Sequence, residues 1–148
     1  MTPDPAPVAS SVSLVRLRVP ADSRYARVVR VAVGAFAIQI GLRPEVVEDL
    51  RLAVDEALIL LLATLGADED TTHVGLVVVL DQDPTSGALA FAVGTDPEPE
   101  GVAAGADALA RFHELIPAEV TVDGVDLAGG RVALHLTSPV SGDESQAS

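Results

Sequence analysis

Residues 44–65 read PEVVEDLRLAVDEALILLLATL, and this stretch predicts one long helix that lies in the core. Pro44 is tolerated in the first turn of a helix, because its missing N–H would have no intrahelical partner there. Glu45 and Glu48 favour the positive end of the helix dipole. Beyond Leu50 the helix is apolar on nearly every side, which predicts that it packs beneath a sheet.

The elements around this helix follow from hydrophobic periodicity and turn residues. A strand is expected before Pro20, because apolar and polar residues alternate there. A helix then runs to about Ile40, with apolar positions that include Tyr25, Val28 and Val29. The remaining segments are strands at 72–80 and 88–93, a Pro- and acid-rich loop at 95–100, a helix at 102–116, and strands at 119–122 and 131–137. The order β-α-α-β-β-α-β-β predicts an α+β two-layer sandwich, with a mixed, mostly antiparallel sheet covered by helices.

Composition restricts the kind of protein this is. The chain has 148 residues, of which 49% are hydrophobic and only 3% aromatic, so we expect one domain with an aliphatic core at residues 11–138. Polar and small residues at 1–10 and 139–148 predict disordered tails. The absence of cysteine excludes disulfides, thiolate metal sites and thiol nucleophiles. The three histidines, His73, His113 and His135, do not have metal-ligand spacing.

Charge and hydropathy favour a cytoplasmic protein that binds other proteins. The formal net charge is −13, which opposes binding to nucleic acid or anionic membranes. The N-terminus lacks the basic and apolar regions of a secretory signal, and no apolar stretch is long enough to span a bilayer. Three of the nine basic residues, Arg24, Arg27 and Arg30, recur along the first helix. They form either a basic surface for an acidic partner or a solvated face that pairs with Glu45, Glu48 or Asp49.

Three segments resemble the N-terminal half of the anti-sigma-factor serine kinases, which have the Bergerat fold of the histidine-kinase-like ATPases. These segments are residues 20–30 (PADSRYARVVR), 40–42 (IGL) and 47–57 (VEDLRLAVDEA). Residues 109–116 and 129–136 look like the last helix and the closing strand of that family. The resemblance covers roughly residues 12–137 and implies an ATP site built from three motifs.

The chain departs from the first of these motifs, a helical E-A-x-x-N-A segment. In the family its Glu acts as a general base or orients the acceptor, and its Asn supports Mg²⁺. The resemblance places Glu56 at the catalytic position and Leu60 at the asparagine position. Leucine has no oxygen to offer a cation that demands octahedral oxygen ligands.

The other two motifs are altered as well. In the D-x-G-x-G motif, either Thr95 or Asp96 stands at the position of the aspartate that reads adenine. Prolines or glutamates occupy the glycine positions, where backbone must approach the ligand closely. Of the glycine-rich phosphate-binding lid, Gly101 and Gly105 remain, and no basic residue follows them before Arg111.

We therefore expect a regulatory protein that acts by protein binding, with no cofactor and a degenerate ATP site. The resemblance implies a sigma factor or an STAS-domain anti-sigma antagonist as partner, and possible homodimers. One alternative is an active serine kinase that uses ATP and Mg²⁺ to phosphorylate an STAS-domain antagonist. Another is a non-catalytic subunit that forms a heterodimer with an intact homologue.

Overall fold

Three helices lie on one face of a five-stranded sheet in the computed structural model, which describes residues 12–65, 73–97 and 106–136. The elements are β1 (Val12–Pro20), α1 (Ser23–Gln39), α2 (Pro44–Leu65), β2 (Gly75–Gln82), β3 (Leu89–Asp96), α3 (Ala106–Leu115), β4 (Val120–Asp126) and β5 (Arg131–Leu136). This order confirms the predicted sequence of elements. The expected tails at 1–10 and 139–148, together with Gly101 and Gly105, lie outside the described residues.

The sheet has the strand order β1-β2-β3-β5-β4, and each of the four neighbouring pairs is antiparallel. Successive side chains of a strand point to opposite faces. In β2, Leu76, Val78 and Leu80 are fully buried against the helices, whereas Val77 and Val79 are half-buried on the opposite face. Burial alternates in the same way in β3 and β5, so the side of the sheet that faces the helices forms one side of the hydrophobic core.

The helix α2 is the centre of the helical layer, as its sequence predicts. Its residues Leu50, Val54, Leu58 and Leu61 have no exposed surface, and the helix contacts α1, α3 and three of the strands. Burying an aliphatic side chain of this size contributes about 1.5–3 kcal/mol, so this face of α2 is a major source of stability. The expected aliphatic core is confirmed, since only Phe91 and Phe112 add aromatic rings to the fully buried set.

Local signals set the ends of α1. The Asp22 side chain accepts a hydrogen bond from the backbone N–H of Arg24 (2.9 Å), which satisfies one free donor of the first turn. Gly41 follows the helix with a φ of 92°, a left-handed conformation that glycine adopts without steric cost. The turn at Gly41 returns the chain antiparallel to α1, so that α1 and α2 form a helical hairpin.

The prediction that residues 95–100 form a loop is wrong at its start, because β3 continues through Thr95 and Asp96. Thr95 lies opposite Leu76 of β2, and its backbone N–H donates to the carbonyl oxygen of Gly130 (2.8 Å). Hydrogen bonds from both sides therefore hold this end of the strand.

Within the described ranges, no helix combines the length and apolar character needed to cross a membrane.

Candidate functional site

Helix α2 carries the two residues that the resemblance placed in the first ATP motif. Glu56 and Leu60 are four residues apart, so they lie one turn apart on the same side of the helix. Leu60 is 2% exposed and belongs to the hydrophobic core, whereas Glu56 is half-buried. This side of α2 therefore has a partly exposed carboxyl group and, one turn on, a buried alkyl side chain where the resembling family has an amide.

The carboxyl group of Glu56 lies in an environment that disfavours its charged form. Burial raises the pKa of Glu56 above its ordinary value, and the neighbouring negative charge of Asp55 raises the pKa further. Arg111 on α3 acts in the opposite direction and lowers the pKa. Arg51, which precedes Glu56 on the same helix, does not compensate this carboxyl group, because its guanidinium pairs with Glu48 at 3.0 Å.

The alternation of β3 decides where Thr95 and Asp96 point. Thr95 faces the helical layer, as Phe91 and Val93 do, and is 8% exposed. Its hydroxyl oxygen is buried and has no hydrogen-bond partner within the described part of the chain. Asp96 points away from the helices and pairs with Arg18 of β1 at 2.6 Å. Of the two possible alignments with the adenine-reading aspartate, the one on the side of Glu56 and Leu60 carries Thr95.

The donor atoms at these positions do not suit a magnesium nucleotide. Magnesium demands nearly ideal octahedral oxygen coordination, and Leu60 supplies only carbon at the position of the supporting amide. Thr95 offers a neutral hydroxyl where a carboxylate would accept from an adenine amino group. Across the described ranges, no group of three or more His, Asp and Glu side chains comes together as a metal site would require. Gly101 and Gly105, the remaining glycines of the lid, lie outside these ranges.

The three arginines of α1 do not share one environment. The Arg24 guanidinium pairs with Asp22 (2.8 Å), and that of Arg30 is half-buried against Asp55 of α2 (3.3 Å). The alternative in which this set pairs with Glu45, Glu48 or Asp49 does not hold for Arg24 and Arg30, because the antiparallel hairpin places Arg30 beside the middle of α2 and not beside its first turn. Arg27 is exposed and makes no ion pair with any described residue.

An apolar stripe on the outer surface of α1 was missed by the sequence analysis. Val28, Val31 and Ile38 are 48%, 56% and 66% exposed, although the sequence grouped Val28 with the buried Val29 as apolar positions at helical spacing. These positions and Ala35 follow i, i+3, i+7 and i+10 spacing, which places them on one side of a helix. On α2, Leu52 and Ile59 are exposed as well, at 44% and 52%. The spacing is visible in the sequence, but so is a competing apolar face, and only packing distinguishes the two.

Comparison with known proteins identifies a fold but no family. No protein-family model and no curated protein matches the chain. Among solved structures, the chain is similar to the crystal structure of the RsbU and RsbW domains of Rv1364c from Mycobacterium tuberculosis, with 20% sequence identity and a TM-score of 0.55. The match covers 86% of this chain and 33% of that one, so the chain spans about a third of the length of its neighbour. This likeness shows the fold alone, an α+β sandwich consistent with the Bergerat type of ATPase fold.

Proposed function

We propose that the protein is an anti-sigma-factor-like regulator that acts by binding a protein partner and not by transferring phosphate from ATP. The observation that carries the proposal is the burial of Leu60, which is 2% exposed at the position where the resembling kinases have an asparagine. A side chain packed into the core cannot turn outward to make room for a hydrated cation without losing its contacts.

Electrostatics supports the same proposal. A nucleoside triphosphate carries about four negative charges, and without Mg²⁺ these charges would approach the carboxyl group of Glu56. Like charges at about 4 Å repel by about 1 kcal/mol each even in water, and more strongly in a cleft. The raised pKa of Glu56 indicates that this side of α2 already disfavours negative charge. With a net charge of −13, the whole protein adds to this repulsion.

A partner surface is available on the helical layer. Val28, Val31 and Ile38 are each about half exposed or more and lie on one side of α1, and a contiguous exposed apolar surface marks protein interaction sites. Arg27, which makes no ion pair with a described residue, precedes Val28 on α1 and favours an acidic neighbour. A sigma factor or an STAS-domain antagonist, the partners that the sequence resemblance implies, would be recognised on this surface.

Calorimetric titration with Mg·ATP tests the absence of nucleotide chemistry. The wild-type protein and Glu56→Gln should both give only the heat of dilution. Binding by the wild type in the micromolar range would overturn the proposal.

Co-purification from the native cell tests the partner surface. The wild type and the control Arg43→Glu, altered at an exposed arginine outside the stripe, should retain a sigma factor or an STAS-domain protein. Val31→Glu and Arg27→Glu should lose it. Retention of the partner by Val31→Glu would contradict the assignment of this surface, and recovery of an intact homologous kinase would favour the heterodimer alternative.

A second candidate function, the serine kinase, is favoured by one observation. Glu56 is kept at the catalytic position, and a raised pKa suits a carboxylate that takes up a proton. Transfer of labelled phosphate to an STAS-domain protein, abolished by Glu56→Gln but not by the neighbouring Asp55→Asn, would establish it.

A further inference from the structure

The sheet has a second face, here called the open face, that no helix of the described residues covers. A groove of about 530 Å³ lies over the middle of this face. Its floor consists of small and apolar residues of the two central strands, which are Val77 and Val79 of β2 and Ala92 and Gly94 of β3. Because the residues of β3 on this floor are small, the groove has room for the side chains of a bound segment.

Four charged residues surround this floor in an ordered way. Arg16 of β1 and Arg131 of β5 lie on opposite sides of the groove, across the strands from each other. Asp81 and Asp96 lie at its two ends, along the strands. A segment bound parallel to the strands would meet both aspartates, whereas a segment that crosses the strands meets both arginines.

The two arginines are available for intermolecular contacts. Both are exposed, and neither makes an ion pair with any described residue. The aspartates are already engaged, since Asp96 pairs with Arg18 at 2.6 Å and Asp81 has an interaction of its own. Asp126, which lies opposite Arg131 on β4, accepts a hydrogen bond of 2.8 Å from a backbone N–H of the following turn. The groove therefore offers two unpaired positive charges on a protein whose net charge is −13.

We propose that this groove binds an extended acidic segment of a partner protein, which crosses the strands and places one carboxylate on Arg16 and another on Arg131. Guanidinium groups match carboxylates in planar, two-bonded geometry, which suits this pairing. A long polyanion such as nucleic acid is opposed by the charge of the whole protein. A short acidic segment is affected mainly by the charges within about 10 Å of it.

The strand register sets the spacing of the two carboxylates. Arg16 and Arg131 are three strand spacings and two residues apart, or about 16 Å between their Cα atoms. Side chains on one face of an extended segment recur at every second residue, so acids four positions apart are separated by about 14 Å. The long arginine side chains lean inwards to span the difference. The residue midway between the acids then contacts Val79 and Ala92, which favours an aliphatic side chain. The expected pattern is acid-x-aliphatic-x-acid.

Titration of the full-length protein, labelled with nitrogen-15, with the peptide GESVSEG tests this pattern by NMR. At low ionic strength we expect saturable shifts of the amides of Val77, Val79, Ala92 and Gly94, and weaker binding at high salt. The control peptide GSEEVSG has the same composition but adjacent acids, so it reaches only one arginine at a time. It should bind about fivefold or more weakly.

Charge reversal of the arginines tests their roles. Arg16→Glu and Arg131→Glu should each weaken binding of GESVSEG by about fivefold or more. The variant with both substitutions should instead bind GKSVSKG, which also shows that it is folded. The matched control is Arg43→Glu, altered at an exposed arginine outside the groove, which should bind GESVSEG as the wild type does.

This inference concerns the layer opposite to the helices and does not rest on the proposed function, so Val31→Glu should also bind GESVSEG normally. The proposal is overturned if the peptide shifts amides of α1 instead of the groove, or if GSEEVSG binds equally well. Stronger shifts of the groove amides with a single-stranded oligonucleotide would overturn it in favour of nucleic acid. Shifts of these amides that depend on protein concentration without peptide would overturn it in favour of a second copy.

Discussion

Replacing Leu60 with asparagine restores the residue type that the ATP motif requires and measures how completely the site has been closed. Leu60 is 2% exposed, so almost its whole side chain is removed from water. Losing that burial costs about 1.5–3 kcal/mol. Leaving the new amide without adequate hydrogen-bond partners costs about 1–3 kcal/mol more. We therefore expect Leu60→Asn to lower the free energy of unfolding by about 2.5–6 kcal/mol.

The assay is thermal and urea unfolding followed by circular dichroism. For a chain of this size, a loss of that magnitude lowers the melting temperature by roughly 10 °C. The matched control is Leu60→Met, which keeps the volume and the apolar character and should cost less than about 1.5 kcal/mol. If Leu60→Asn unfolds within about 1 kcal/mol of the wild type, Leu60 lines an open site and the reasoning is refuted.

Three further predictions concern other parts of the fold. Glu56→Gln should stabilise the protein at neutral pH, because it removes a carboxylate from a site that disfavours negative charge. The raised pKa of Glu56 means that the folded state binds this proton more tightly than the unfolded state does. The stability that protonated Glu56 contributes is therefore present at low pH and is lost as pH rises from about 4.5 through the folded-state pKa. Unfolding measured across that range should show the advantage of Glu56→Gln vanish in acid, and an advantage independent of pH would contradict the assignment. Asp96→Asn should change the melting temperature by no more than a few degrees, because both side chains of the Arg18–Asp96 ion pair are exposed to solvent. A large decrease in melting temperature would indicate that Asp96 has a second role. Phe112→Ala should lower the free energy of unfolding by about 3–5 kcal/mol and increase amide hydrogen exchange in α3. The reason is that Phe112 is the one buried residue of that helix. Unchanged hydrogen exchange would show that other contacts hold the helix in place.

Some features of the helical layer were predictable because they depend on neighbouring residues along the chain. The N-cap at Asp22, the turn at Gly41 and the apolar surface of α2 each follow from short-range spacing, and the structure has all three. The end of β3 was predicted wrongly, because the hydrogen bond from Thr95 to Gly130 joins residues that are far apart in the sequence. Pro97 and the acidic residues after it indicate a loop in the sequence, and for this reason Thr95 and Asp96 were not recognised as part of the strand.

The candidate site shows the same division. The residue types of the candidate site can be read from the sequence alone. Leucine at position 60, where the resembling family has asparagine, and glutamate at position 56 are both visible without a structure. The sequence by itself determined the order of the elements, the aliphatic core and the residues available to each strand and helix, because periodicity and capping act over a few residues. Only the tertiary structure decided that Thr95 faces the helical layer while Asp96 faces Arg18, and that Arg30 pairs with Asp55. Those outcomes depend on strand register and helix packing, where one residue of shift turns every side chain to the other face.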